Sequence, residues 1–490
     1  MLDTLLGGGI FTLHIWHTHV KTSSFYQKNK NREIYKELFK EFDTTFSHPA
    51  PLSLKNQNIA FFGKEKTAAS NCIKDFLVHL GNIFYVDEEE FKNNFEILFL
   101  EFLKLKNITI VIFSNPYGNA KRLKIYEYCK ENNIKFYCFD RGALPDSWFL
   151  DSGFNYDSKS YKKLSSLDNE QIEKTKKYIN NVLNSDIFLE TQGSRVGKDY
   201  LSHKYKLHNK KIIFAPLQRP SDTVIKYFSN LSMNEFCEII DDLALKLKIL
   251  GYEFIIKKHP LENEIYSFKN AIILDNNTNI IDALDLCDCV CLLNSGVGVY
   301  AMMMNKPCFI FANAFYELDG VNYKITSYSI DEISRKIINS FVVDEAKVLE
   351  FIYFLRYKFY SFAVAKTKSR KEVDNSLRTI TYSLDFYELR IDGEDVFIYD
   401  RVENKPISIA SPIYERFRLD LITKGMQTRI QKSNLHLDVN TNNEIAVQIQ
   451  RTTKKRRISS LIRKFRTNPY MFFADSKYKI INKMKYFFKE

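Results

Sequence analysis

Residues 211–223 read KIIFAPLQRPSDT. The run from Lys211 to Ala215 is short, unbroken and apolar, as in a strand covered on both faces. Pro216 closes it, and a polar loop carries Gln218, Arg219, Ser221 and Asp222 to Thr223, where a helix is expected to begin. Strand, polar loop and helix in that order are the repeating unit of a parallel sheet flanked by helices.

The same pattern runs outward in both directions. Downstream, helices are expected over Met233–Leu250, Ile280–Leu286 and Val297–Met304, between strands at Tyr252–Lys257, Ala271–Leu274, Cys289–Leu293 and Cys308–Phe311. Upstream, strands at Ile59–Phe62, Asn82–Val86, Ile108–Phe113 and Lys135–Phe139 alternate with helices at Thr67–Leu80, Glu88–Leu105 and Ala120–Asn132. A polar segment over residues 141–165, a helix at Asn169–Leu183 and a Gly/Ser/Lys-rich stretch to Lys210 separate the halves. The expected fold class is therefore α/β, with two Rossmann-type doubly wound domains facing a central cleft. The division reads 1–57 as a lead-in, 58–205 and 206–384 as the two domains, 385–450 as a small β-rich appendage and 451–490 as a basic amphipathic tail. Alternation in Tyr387–Asp400 around the turn-forming Asp392-Gly393 marks the appendage.

A chain of 490 residues has room for about two or three such domains. At 45% hydrophobic and 14% aromatic residues it is globular in composition. The net charge of +12 is concentrated: Arg451–Glu490 holds thirteen Lys and Arg against two acids. The body is nearly neutral, so the basic balance describes the tail and not the cleft. There Lys454-Lys455-Arg456-Arg457 precedes Leu461, Phe465, Phe472 and Phe473, a mix suited to an anionic membrane surface or to docking on the domains. Nucleic acid is not an expected partner, because it leaves the aromatic residues unexplained. No window reaches the length of apolar sequence a spanning helix needs, so a cytoplasmic protein, peripheral on the inner face of the membrane, is expected. The eight cysteines read as buried thiols. Neither Cys287, Cys289 and Cys291 nor His14, His17 and His19 has strong ligand spacing, and no metal is expected. Gly63-Lys64-Glu65-Lys66-Thr67 lacks the glycine spacing of a phosphate loop.

In open parallel sheets ligands bind beyond the carboxyl ends of the strands. Four such ends carry ionisable loops: Asp140-Arg141-Gly142, Gln218-Arg219-Pro220-Ser221-Asp222, Lys257-Lys258-His259-Pro260 and Asn294-Ser295-Gly296-Val297-Gly298. Singly, each has a structural explanation, since Asp222 with Thr223 caps a helix, Asp140 satisfies loop amides and Pro260 stops a strand. Four together exceed what structure needs. Lys258 and His259 suit a phosphate, and Gly296 and Gly298 open a helix whose amides can add to it. Asp140 and Asp222 supply two carboxylates, one as nucleophile or base and one as partner.

The ordered set Asp140-Arg141-Gly142, Gly153-Phe154-Asn155 with Ser158, Gln218-x-x-x-Asp222, Lys258-His259-Pro260 and Asn294-Ser295 resembles the bacterial capsule polysaccharide biosynthesis proteins, over roughly Asn58–Phe311. Asn468-Pro469-x-x-Phe472-Phe473-x-Asp475-Ser476-Lys477 is similar to the tail of many capsule glycosyltransferases. That family includes the retaining β-Kdo transferases, which have the GT-B fold and use CMP-Kdo. The resemblance implies a metal-independent glycosyltransferase with a nucleotide-sugar donor, no further cofactor, and a lipid-linked or growing polysaccharide as acceptor. Carried over by position, it implies Asp222 as the nucleophile of a double displacement and Asp140 as the residue serving the acceptor hydroxyl. His259 falls on the donor's phosphate or carboxylate, and Asn294 and Ser295 on the CMP moiety; Gln218, Lys258, Gly296 and Gly298 complete the expected nucleotide-binding set. Two positions depart from pattern: Asp140 stands where Glu is commoner, and Tyr300 where many GT-B proteins have a ribose-binding Glu. An inverting transferase with Asp140 as base, a non-catalytic glycan-binding member and a sugar-nucleotide epimerase remain the other readings.

Overall fold

The computed structural model describes residues 57–63, 81–91, 95–184, 193–262, 264–371 and 377–397. The first domain contains β1 (Gln57–Phe62), β2 (Gly81–Val86), α1 (Phe95–Leu105), β3 (Ile110–Ser114), α2 (Ala120–Glu131), β4 (Phe136–Arg141) and β5 (Ser147–Asp151). Helices α3 (Asn169–Leu183) and α4 (Lys198–Lys204) lead to the second domain. It runs β6 (Lys211–Pro216), α5 (Thr223–Phe228), α6 (Met233–Lys248), β7 (Tyr252–Lys257), β8 (Ile272–Ile273), α7 (Ile280–Leu286), β9 (Cys289–Leu292), α8 (Val297–Met303), β10 (Cys308–Ile310), β11 (Asn322–Lys324), α9 (Ile330–Ile338) and α10 (Glu345–Tyr353). The chain then forms β12 (Ser361–Lys371), β13 (Leu377–Ile391) and β14 (Glu394–Phe397).

The second sheet is parallel throughout, in the order β11-β10-β9-β6-β7-β8. The chain winds outward from β6 to β8, then crosses back and winds the other way from β9. That reversal opens a crevice between the carboxyl ends of β6 and β9. Strand β6 earns its central place because Ile212, Ile213, Phe214 and Ala215 are buried on both faces. One face packs on α6, which starts with a reciprocal capping box between Ser232 and Glu235. Phe236, Ile240, Leu243 and Leu247 fall at spacings of four, three and four residues, so they form a single stripe against Phe254 and Ile256. Burying each such side chain is worth about 1.5–3 kcal/mol, which is what holds this layer together.

The first sheet runs β14-β13-β12-β5-β4-β3-β1-β2. Strands β2, β1, β3 and β4 are parallel, and β5, β12, β13 and β14 follow antiparallel. This corrects three expectations. The stretch read as a polar loop holds β5, because Trp148, Phe149 and Leu150 give it a short apolar run that pairs back on β4. Strand β4 also extends through Asp140 to Arg141. The boundary at 384 falls inside β13; the chain rejoins the first sheet at Ser361, opposite Trp148 of β5. Strands β12 and β13 are thus the far edge of the first domain and not an appendage. The turn at Asp392-Gly393 lies where expected, with positive φ of 53° and 83° as a tight hairpin requires.

A helix at 67–80, the lead-in before Gln57, the histidines near 14–19, residues 64–67 and the basic tail lie outside the described residues. No helix among the described residues is long and apolar enough to cross a membrane.

Candidate functional site

A cavity of about 330 Å³ opens at the crevice predicted by the strand order. Its second-domain wall includes Gln218, Asp222, Lys257, Lys258, His259 and Asn294, together with Ser295 and Gly296. Its first-domain wall includes Arg141, Gly142, Ala143, Phe149 and Tyr161, with Tyr360 where the chain crosses back. Three cations, Arg141, Lys257 and Lys258, therefore face one lining carboxylate, Asp222. Such a wall favours an anionic ligand.

The two strand ends are tied to each other. The Gln218 Nε2 donates to Asn294 Oδ1 at 3.0 Å, and the Asn294 amide donates back to Gln218 Oε1 at 3.2 Å. The Asn294 Nδ2 donates to the carbonyls of Val224 and Asn313 at 2.9 and 3.2 Å. Both side chains are buried. Gln218 and Asn294, read from sequence as ligand contacts, thus act first as a brace that fixes the β6 and β9 loops.

The basic strand end divides its labour. Lys258 lines the rim, with Nζ donating to the Glu264 carbonyl at 3.2 Å. Lys257, which the sequence reading passed over, is 3% exposed, and its Nζ donates to the Asn276 carbonyl at 3.0 Å. No carboxylate among the described residues pairs with it, and burial pulls its ammonium down to about 8. A lysine closing the apolar run Phe254–Ile256 was the available signal. His259 is pulled down to about 4 by burial and by the neighbouring Arg219 and Lys257. Its Nδ1 accepts from the Leu261 amide at 3.1 Å. The neutral ring therefore carries its proton on Nε2 and acts as a hydrogen-bond donor.

Asp222 is the N-cap residue of α5, yet its side chain makes no cap hydrogen bond to that helix. The bland explanation for it is thereby weakened. Asp140 does not line the cavity; it lies one residue back in β4, where its carboxylate accepts from the Arg141 amide at 2.7 Å and burial raises its pKa. Ser295 is anchored through its carbonyl, which accepts from the Tyr316 hydroxyl at 2.6 Å. Its hydroxyl accepts from the Val297 amide at 3.3 Å and its carbonyl from the Gly298 amide at 3.0 Å, so the first turn of α8 folds back on Ser295. Gly296 has open space where a Cβ would stand. Gly298 is different: a Cβ there would enter the ring of the buried Tyr316. Its role is close packing, and it is absent from the cavity wall.

Two Rossmann-type sheets, a crevice at the strand reversal and a cationic wall with one carboxylate define a two-domain α/β protein built to hold an anionic ligand between its domains. Residues 157–360 match the family described as capsule polysaccharide biosynthesis protein. Among curated proteins, no sequence matches the chain. Among solved structures, it is similar to the β Kdo 2,4 transferase of Thermosulfurimonas dismutans KpsC, at 12% identity and TM-score 0.44, over 63% of this chain and 92% of that one. The β Kdo 2,7 transferase of the same protein matches at 15% identity and TM-score 0.41, over 66% and 96%. A UDP-GlcNAc 2-epimerase of Methanocaldococcus jannaschii, in complex with UDP-GlcNAc and UDP, matches at 10% identity and TM-score 0.27, over 60% and 98%.

Proposed function

We propose that the protein is a glycosyltransferase of capsular or related surface polysaccharide synthesis, which takes its sugar from a nucleotide-activated donor. The observation that carries this reading is the meeting of Lys257, the Nε2–H of His259 and the carboxylate of Asp222 in one cavity at the β6/β9 crevice. A phosphate bound there gains an ammonium and a neutral donor, and the sugar beyond it meets a carboxylate. The excess of lining cations over carboxylates further favours a donor with a second negative charge, as a sugar acid such as Kdo has next to its CMP. A growing or lipid-linked glycan is the proposed acceptor, at the inner face of the membrane, and no metal is assigned a role.

On this reading Asp222 attacks the anomeric carbon, the carbon–oxygen bond to the phosphate breaks, and the nucleotide leaves. An acceptor hydroxyl then attacks the same carbon, the bond to Asp222 breaks, and the hydroxyl proton is passed to a base. Two inversions give net retention. The test is nucleotide release from a panel of CMP-, UDP- and GDP-sugars, with a polysaccharide fragment as acceptor, by wild type and Asp222→Asn. Turnover of a donor that Asp222→Asn abolishes supports the reading. Tight nucleotide binding with no turnover of any donor would sink it in favour of a non-catalytic member.

A further inference from the structure

Asp222 stands at the head of α5, a helix of only six residues, far too short to hold its own shape. On its own domain it is held by the buried Ile225 and Phe228, by the Asn294 bond to the Val224 carbonyl, and by the Asn313 amide, which donates to the Phe228 carbonyl at 2.8 Å. Its other side is held by the first domain. The Tyr117 ring lies 4.9 Å from that of Tyr227 and 5.0 Å from that of Phe228, centroid to centroid. The Asn115 Nδ2 approaches the Thr223 hydroxyl at 3.4 Å.

These contacts come from the loop after β3. In the order β2-β1-β3-β4 the winding reverses between β1 and β3, so this loop lies where the first sheet presents its own crevice. Helix α5 packs against it. The loop is firmly set, because Arg122 Nη1 donates to the Ser114 carbonyl at 2.5 Å, while its Nη2 pairs with Glu88 at 2.6 Å. Tyr117 is fixed in turn: its hydroxyl donates to Asp157, which also pairs with Lys130 at 3.6 Å. Its ring packs on Phe154 at 5.3 Å and Tyr126 at 5.9 Å.

We infer that Tyr117 is a positioning residue for Asp222: by pressing on Tyr227 and Phe228, the first domain sets where the carboxylate at the head of α5 stands. The inference rests on the reading of Asp222 as the reacting carboxylate. Among the described residues no hydrogen bond or ring contact joins Tyr117 to Lys257, Lys258 or His259, so loss of the contact misplaces the carboxylate and leaves donor affinity in place. A displacement of about 1 Å at such a group costs about a hundredfold in rate.

The experiment compares full-length wild type with Tyr117→Ala, Tyr227→Ala and Tyr117→Phe, by donor kinetics and by amide hydrogen exchange. Tyr227→Ala removes the contact from the half-buried helix side and guards against a folding failure of Tyr117→Ala. Either Ala variant should lower kcat about 10- to 100-fold with the donor KM within about threefold, and peptides spanning 223–228 should exchange about tenfold faster while those of β7 and β9 do not. Tyr117→Phe, which keeps the ring, should recover most of the loss. Unchanged exchange in 223–228 overturns the inference, as does faster exchange with unchanged kcat. Parallel loss of protection throughout the second domain would also overturn it, since that is the mark of a merely structural residue. Absence of donor turnover in wild type sinks the glycosyl-transfer reading instead, and with it the positioning role; the exchange arm then still reports separately whether Tyr117 holds the helix.

Discussion

Replacing Lys257 by Met separates two effects of one buried ammonium. Burial lowers Lys257 from 10.5 to about 8. Keeping it charged at pH 7 therefore costs the fold about 3 kcal/mol. Met fills a similar volume without charge, but the Asn276 carbonyl loses its donor, at a cost of about 1 kcal/mol. The variant should thus be more stable than wild type by about 2 kcal/mol at pH 7. Because the folded state holds this proton more weakly than the unfolded chain, the unfolded chain binds more protons between about pH 8 and 10.5. Wild-type stability rises with pH over that window and the gap to Lys257→Met closes. Donor binding moves the opposite way, weakening about a hundredfold as the phosphate loses a buried cation. Denaturant titrations of both proteins at pH 7 and 10, with donor KM from nucleotide release, read all three effects. A variant less stable than wild type at pH 7, or a stability gap that does not close by pH 10, refutes Lys257 as a cation buried for a ligand.

Four further outcomes follow from other parts of the site. Gly298→Ala drives a methyl group into the Tyr316 ring, and calorimetry should show a loss of about 1–3 kcal/mol. His259→Gln, which keeps a neutral N–H donor, should stay within about tenfold of wild-type kcat/KM, whereas His259→Phe should lose at least about a hundredfold. Asp151 is raised to about 6 mainly by burial, against the hydroxyls of Ser158 and Ser160 and with help from Asp392. Its folded pKa lies above its unfolded one, so its contribution is greatest below about pH 4 and is lost as pH rises through about 6. Asp151→Asn should therefore stabilise the protein at pH 7 and not at pH 4 in thermal melts. Asn294→Ala takes the acceptor from Gln218 Nε2 and a donor from two carbonyls in a buried place, and should cost about 2 kcal/mol in denaturant titrations as well as raise donor KM.

The second domain was legible because its strands are buried on both faces, so Ile212–Ala215, Phe254–Ile256 and Val290–Leu292 announce themselves without knowledge of their neighbours. The antiparallel edge was not. Ser361 and Phe362 pair with Trp148 and Ser147, more than two hundred residues away, and no local period records such a partner. At the site, the loops after four strands were singled out, and Gln218, Asp222, Lys258, His259, Asn294, Ser295 and Gly296 all line one cavity. What each does there depends on packing. Lys257 and Lys258 are neighbours in sequence, and only the pleat decides that the first is enclosed and the second reaches the rim. Gly298, read as opening a helix whose amides add to a phosphate, has the Tyr316 ring where a Cβ would stand. Asp140, read as following a strand, lies within one.

Whether Asp222 is the nucleophile is read from the mass of the Asp222 peptide after the full-length protein meets a turned-over donor, with acceptor withheld and the reaction quenched in acid. This peptide should gain the mass of one sugar residue, added acceptor should discharge it, and Asp222→Asn should never gain it. Transfer to acceptor with inverted configuration and no adduct on Asp222 would contradict that role.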